Sequence, residues 1–194
     1  MRINAIFLDL DDVLNTLTPH LMVWAGAQSD PLDYSNYPGS MELHRAVNRA
    51  RSYGPRYPYT KEVFWRSIPR EVWATTPPSP DLNWLLKTCR RLVGRQVFLA
   101  TTAQDTADCL AGKLDWIHNF LPSWLHKQCI FIQAKAFLAC KGRLLIDDNE
   151  MNCRRFQGHG GLAIRYPRPW NQAAGCKPRE YIEENLGIVQ SKTA

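Results

Sequence analysis

Phe7-Leu8-Asp9-Leu10-Asp11-Asp12-Val13-Leu14-Asn15 is an apolar run that ends abruptly in carboxylates. The run begins at Ile3 and reads as a buried strand of a parallel sheet, spanning roughly residues 3–9. Such a strand has no room for three acids, so they must lie where it emerges. In open α/β sheets that carboxyl edge is where ligands bind. Asp9 and Asp11 sit two apart, and in extended geometry their side chains leave the same side. Close carboxylates repel unless a cation or a shared proton intervenes. The stretch is therefore either a metal site or an acidic loop that happens to follow a strand.

The chain has 194 residues, enough for one good core and a small inserted lobe. Its formal charge of +6 suits an anionic partner, either a phosphorylated metabolite or nucleic acid, but scattered Lys and Arg also fit a solvated basic surface. The densest cluster, Arg45, Arg49, Arg51 and Arg56, lies in a loop-rich region. Six cysteines show no CxxC pair and no zinc-site spacing, which predicts free or buried thiols in a reducing cytoplasm. Met1 runs almost directly into the first strand, so no signal peptide is expected, and no apolar run is long enough to span a bilayer.

Residues 16–79 differ in texture, being rich in Pro, Tyr, Ser and Arg, with short helical candidates near 19–27, 41–51 and 60–68. So long a stretch reads better as an inserted lobe than as a loop. Its aromatics, Trp24, Tyr34, Tyr37, Tyr53, Tyr57, Tyr59, Phe64, Trp65 and Trp73, are expected mostly to form the lobe's own core. Regular α/β texture resumes at residue 80 and predicts a core domain from 1–15 and 80–194. Ser79 should cap a helix over 80–93 with Pro80 first, and Gly94 should close it. Further strands follow at Gln96–Ala100, Cys129–Ile132, Arg143–Ile146 and Leu162–Tyr166. Asp105 should cap a helix carrying Leu110, Leu114, Ile117 and Leu121 on one face. A short helical piece falls around 134–139, and a last helix over 178–186 should stop at Gly187. The pattern predicts a Rossmann-like α/β fold, a parallel sheet with helices on both faces, and a small, mainly helical lobe inserted after the first strand.

Four groups then fall just past strand ends: Asp9 and Asp11, Thr101 and Thr102, Lys135, and Asp147 and Asp148. The types suit phosphoryl transfer. Few, hard oxygen ligands suit Mg²⁺ completed by waters and a substrate phosphate. A lysine and the metal offset the repulsion between carboxylate and phosphate. Threonine hydroxyls can orient phosphate oxygens. One Asp can attack phosphorus while the other protonates the leaving oxygen and later deprotonates water. Each group has a plainer reading: Thr101-Thr102 could only cap the next helix, and Lys135 could be a surface lysine, with Lys141 competing for its role. Paired acids after Leu144-Leu145-Ile146 repeat the first strand's pattern and are harder to explain structurally.

The order Asp-x-Asp, Thr, Lys, Asp-Asp resembles the four motifs of the haloacid dehalogenase superfamily. The resemblance implies Asp9 as an aspartyl-phosphate nucleophile and Asp11 as general acid/base. It implies Thr101, Thr102 and Lys135 as phosphate-binding residues, and Mg²⁺ held by Asp9, the Asp11 carbonyl, Asp147 and Asp148. The second acid of the first motif, Asp11, points to a phosphatase rather than a dehalogenase, and the inserted lobe looks like a cap over substrate. Asp-Val-Leu after the first acids, Val97–Thr102, Leu144–Glu150 and Gly160–Asn171 are most similar to the 5′(3′)-deoxyribonucleotidases. That similarity implies a small phosphorylated substrate, a deoxyribonucleoside monophosphate, and a capped site that rejects nucleic-acid polymers. Asp12 stands where those enzymes usually have Gly, and Ala103 where Pro is common; Asp12 is expected to face solvent or the backbone of its own loop. Trp65, Tyr59 and Trp24 are stacking candidates by type alone. A phosphatase acting on nucleic-acid ends and a non-catalytic phosphate-binding or signalling module remain as other readings. A signalling receiver would carry its paired acids and its acceptor Asp in a different order.

Overall fold

The computed structural model describes residues 2–27, 30–33, 42–50 and 58–191. The aromatic candidates Tyr34, Tyr37, Tyr53 and Tyr57, and Arg51 and Arg56 of the basic cluster, lie outside the described residues.

Five strands, β1 (Ala5–Leu8), β2 (Val97–Thr101), β3 (Cys129–Phe131), β4 (Arg143–Asp147) and β5 (Leu162–Arg165), form one sheet in the order β3-β2-β1-β4-β5. All its pairings are parallel. Ile6 pairs with Leu144 and Leu8 with Ile146, so the two acidic strand ends finish at the same level. Alternation along the strands sends Ile6, Leu8, Val97, Leu99, Leu144 and Ile146 to one face. There they meet α5 (Leu82–Val93), α6 (Ala107–Phe120), α7 (Ser123–His126) and α9 (Pro178–Ser191) through Leu85, Ile117, Leu125 and Ile182. The opposite face, with Ala5, Phe7, Ala100 and Leu145, packs on Phe156 of α8 (Glu150–Gly158) and on Leu138 of a 3₁₀ turn, Lys135–Leu138.

Between β1 and α5 the chain forms α1 (Leu17–Trp24), α2 (Leu43–Ala50), α3 (Lys61–Ser67) and α4 (Arg70–Ala74). They bury their own apolar cluster, including Leu21, Met22, Val47, Phe64, Ile68 and Trp73, and α6 contributes Cys109 to it. The two chain crossings pair with each other: Asn15 bridges Pro78, Thr16 N donates to Pro77 O, and Ser79 N donates to Leu14 O.

Several local expectations shift. The helix expected from residue 80 begins at Leu82, because Ser79 closes a turn instead: its hydroxyl accepts from Asp81 N at 3.3 Å and its carbonyl from Leu82 N. Thr106, not Asp105, caps α6, accepting from Cys109 N. Ile117 and Leu121 are buried as expected, but Leu110 and Leu114 are exposed. The buried sector of α6 is rotated toward Cys109, Gly112, Lys113 and Trp116, because α4 docks on that side. Arg70 of α4 grips Asp115 through Nε and Nη2 at 2.7 and 2.9 Å, and Trp116 Nε1 donates to Thr76 O. The last helix does not stop at Gly187 but runs through to Ser191, with Val189 adding to the packed face. The six cysteines are free thiols, and no described helix is long and apolar enough to cross a membrane.

Two helical glycines should respond in opposite directions. A Cβ at Gly112 would lie 2.5 Å from Arg70 O and from Trp73 Cβ, so Gly112→Ala should force α4 off α6 and destabilise by about 1–3 kcal/mol. Gly187 has open space around it, so Gly187→Ala should stabilise by about 0.5–1 kcal/mol. Urea denaturation of both variants measures the signs.

Candidate active site

The β1–β4 register builds the site. Asp9 N donates to Ile146 O at 3.0 Å, which sets Asp9 beside Asp147, the last residue of β4. Lys135, at the start of the 3₁₀ turn after β3, places its ammonium between them, 2.6 Å from Asp9 Oδ1 and 2.6 Å from Asp147 Oδ2. It is only 2 % exposed. Burial alone would lower this lysine's pKa, but Asp147 and Asp9 outweigh it and the pKa is raised, so the ammonium is charged at neutral pH. Asp9 Oδ1 also accepts from Leu10 N at 2.7 Å, while Oδ2 makes no hydrogen bond among the described residues.

Asp147 and Asp148 have different surroundings. Both oxygens of Asp147 are engaged, Oδ1 by Asn149 N and Oδ2 by Lys135 and by Asn152 Nδ2. Asp148 has one oxygen held, by Trp170 Nε1 at 2.6 Å, and its backbone carbonyl is held by Asn171 Nδ2. The carboxylates of Asp9, Asp147 and Asp148 come within 4.8 Å of one another, all buried. Desolvation, opposed by Lys135, pushes the Asp9 pKa up to about 7, and desolvation with Asp147 close by raises that of Asp148 well above the carboxylate range. Three buried acids sharing one lysine are short of positive charge. Their hard oxygens, with one free on Asp9 and one on Asp148, fit a small divalent cation.

Asp11 belongs to a second cluster. Lys113 of α6, absent from the sequence-derived set, is 3 % exposed and places its ammonium on Asp11 Oδ2, on Thr101 Oγ1 at 3.2 Å, and on the Thr102 carbonyl. Asn15 Nδ2 lies 3.3 Å from Asp11 Oδ1. Thr101 is fully buried, whereas Thr102 lines the cavity and donates its hydroxyl to Ile132 O. Lys113 could have been suspected from its place between Cys109 and Trp116, but only once the buried side of α6 is known. Lys141, the competitor to Lys135, is exposed.

Asp12 does not face solvent, nor only its own loop. It adopts φ +58°, is buried, and its carboxylate caps α1 through Thr18 N at 2.9 Å and Thr18 Oγ1 at 2.6 Å. A left-handed backbone is where Gly is usual, so an Asp here exchanges backbone ease for a clamp on the first lobe helix. Arg168 Nε donates to the Asp12 carbonyl.

A cavity of about 380 Å³ opens over these groups. The core lines it with Asp9, Asp11, Lys135 and Asp148, and the lobe with His44, Lys61 and Trp65. Trp65 stacks on Trp73 with ring centroids 6.0 Å apart. Tyr59 and Trp24 instead pack on Phe64 inside the lobe.

A parallel sheet in this order, with acids past β1 and β4 and a buried lysine between them, defines a haloacid dehalogenase-like hydrolase. The chain belongs to the family described as 5′ nucleotidase, deoxy (pyrimidine), cytosolic type C protein, whose model matches residues 2–180. It is accordingly a hydrolase of the phosphatase class. Among solved structures it is similar to a haloacid dehalogenase family hydrolase from Deinococcus radiodurans R1, with 10 % identity, TM-score 0.53, and coverage of 83 % of this chain and 79 % of that one. It is also similar to a dehalogenase solved as an intermediate complex, with 10 % identity, TM-score 0.52, and coverage of 93 % and 91 %. At such identities these likenesses concern the fold alone. No curated protein matches the chain.

Removing Lys135 leaves Asp9 and Asp147 buried without their cation, which typically costs about 3–5 kcal/mol. Asp9 binds its proton more tightly folded than unfolded, so it favours folding at low pH and loses that contribution as pH rises through about 7. Lys135→Met should therefore destabilise more at pH 8 than at pH 5.5 in urea denaturation with chelator present. An equal loss at both pH values would contradict the pairing.

Proposed function

We propose that this protein is a Mg²⁺-dependent phosphomonoesterase that dephosphorylates deoxyribonucleoside monophosphates through an aspartyl-phosphate on Asp9. The observation that carries the reading is the state of Asp9: buried, one oxygen tied down by Lys135 and Leu10 N, the other oxygen free, at the floor of the cavity. In this reading the free oxygen attacks phosphorus. Asp11 donates a proton to the departing alkoxide, then takes one from the water that hydrolyses the acyl phosphate and releases phosphate. Lys135 offsets charge on the phosphoryl oxygens, and the backbone and hydroxyl at Thr101 and Thr102 orient them.

Asp9, Asp148 and the Asp11 carbonyl would hold Mg²⁺, with Asp147 acting mainly as the anchor for Lys135, since both its oxygens are occupied. Bound there, the cation supplies charge neutralisation for the phosphate. The Deinococcus hydrolase was solved with bound phosphate and sodium. In the proposed reading residues 16–79 act as a cap that closes over the substrate. A cavity of this size, bounded by the lobe, suits a mononucleotide better than a polymer. The family's cytosolic description supports a cytoplasmic enzyme.

Purified protein should release phosphate from deoxyribonucleoside monophosphates with Mg²⁺ and stop when chelator is added. Asp9→Asn should abolish turnover, and Asp11→Asn should lower it by about 10²–10⁴-fold. A 5′-phosphorylated oligonucleotide should be a poor substrate. Intact turnover in Asp9→Asn, or a preference for the oligonucleotide, would defeat this reading.

A further inference from the structure

We infer that Lys113 is a positioning residue for phosphoryl transfer, holding the Asp11 carboxylate and the Thr101 hydroxyl in their working places and tying both to the lobe. The inference rests on the roles proposed for Asp9 and Asp11. An ammonium has three hydrogens to donate, and Lys113 has three acceptors: Asp11 Oδ2, Thr101 Oγ1 and the Thr102 carbonyl. The group is therefore fully satisfied although nearly sealed from water. It fixes one oxygen of Asp11, while Asn15 Nδ2 meets the other. Thr101 accepts from Lys113 and so keeps its own hydroxyl hydrogen to donate.

The arrangement divides the two acids of the first motif. Lys135 belongs to Asp9 and Asp147, and Lys113 belongs to Asp11. A nucleophile and an acid/base two residues apart are thus each held by a separate cation, from elements on opposite faces of the sheet: one from the 3₁₀ turn after β3, the other from α6 after β2.

Packing alone does not account for a lysine here. Replacing both partners of a buried ion pair with well-packed apolar residues is often neutral or stabilising, so the fold alone does not require a charge at position 113, which lies among Cys109, Gly112 and Trp116 on the buried side of α6. Asp11, at 23 % side-chain exposure, would keep access to water if its partner were lost. Lys113 is also where the lobe touches the acid. Its ammonium lies 5.5 Å from the centre of the Trp73 ring, on α4, and Trp73 stacks on Trp65, which faces the cavity. Gly112, with no side chain between the two helices, lets α4 sit close enough for this contact.

The test is a comparison of leaving groups. Lys113→Met and wild type are assayed with Mg²⁺ on a deoxyribonucleoside monophosphate, whose alkoxide must be protonated to leave, and on p-nitrophenyl phosphate, whose phenolate leaves without a proton. If Lys113 positions Asp11, the first-turnover rate of nucleoside release falls by about 10²-fold or more with KM little changed, while the first-turnover rate of p-nitrophenolate release, which precedes the water step that Asp11 also serves, falls less than about 10-fold. Equal falls on both substrates would mark a merely structural lysine, and no fall on either would remove its role; each overturns the proposal. If Lys113→Met does not fold by circular dichroism, the same comparison with the same outcomes is made on Lys113→Gln, which keeps polar atoms at the site but removes the charge. A wild-type protein inactive on both substrates would instead count against the phosphatase mechanism on which the inference rests.

Discussion

The in-register pairing of β1 with β4 brings three carboxylates into a space that water scarcely enters. Leu8 faces Ile146, so the residues that follow, Asp9 and Asp147, emerge side by side. Like charges so close are tolerated only with a cation among them. Lys135 supplies one charge, and it can do so only because the chain after β3 turns at once into a 3₁₀ turn and aims the lysine back over the strand ends. Desolvation first, and the neighbouring carboxylates second, raise the pKa values of Asp9 and Asp148, and a further cation would offset both. Sheet register, the 3₁₀ turn and the acidic pair thus form one electrostatic arrangement.

The lobe is attached to that arrangement at several points rather than set above it. Asp12 caps α1, α4 seats on α6 around Gly112, and Lys113 meets both Trp73 and Asp11. The residues between the two chain crossings therefore share contacts with the acids themselves. In the proposed reading, this is how closure around a substrate and the placement of the acid/base are kept in step.

The strands and the four chemical groups were legible in the sequence because their signal is local. Apolar runs that end in Asp, Thr or Asp-Asp mark both a strand and its carboxyl end, and the observed strands match the expected ones to within about two residues at each end. What was not legible depends on partners far along the chain. Strand order cannot be read from one strand. The buried side of α6 was misjudged because α4 covers it from an unexpected direction. Lys113 lay hidden for the same reason, as an ordinary lysine on a helix whose orientation was unknown. Asp12 was misread because its partner, Thr18, lies on a helix that the loop itself starts. The different environments of Asp147 and Asp148 follow from Asn149, Asn152 and Trp170, whose contacts with the two carboxylates depend on how α8 and the segment after β5 fold back on the strand end.

The central claim is that Asp9 is the group that takes up phosphate, and the most direct measurement is to trap it there. Wild-type protein mixed with ³²P-labelled deoxyribonucleoside monophosphate and Mg²⁺, quenched in acid within the first turnover and digested, should carry the label on the peptide containing Asp9. The label should be absent from Asp9→Asn. Turnover without any covalent label, or label on a peptide lacking Asp9, would contradict the account.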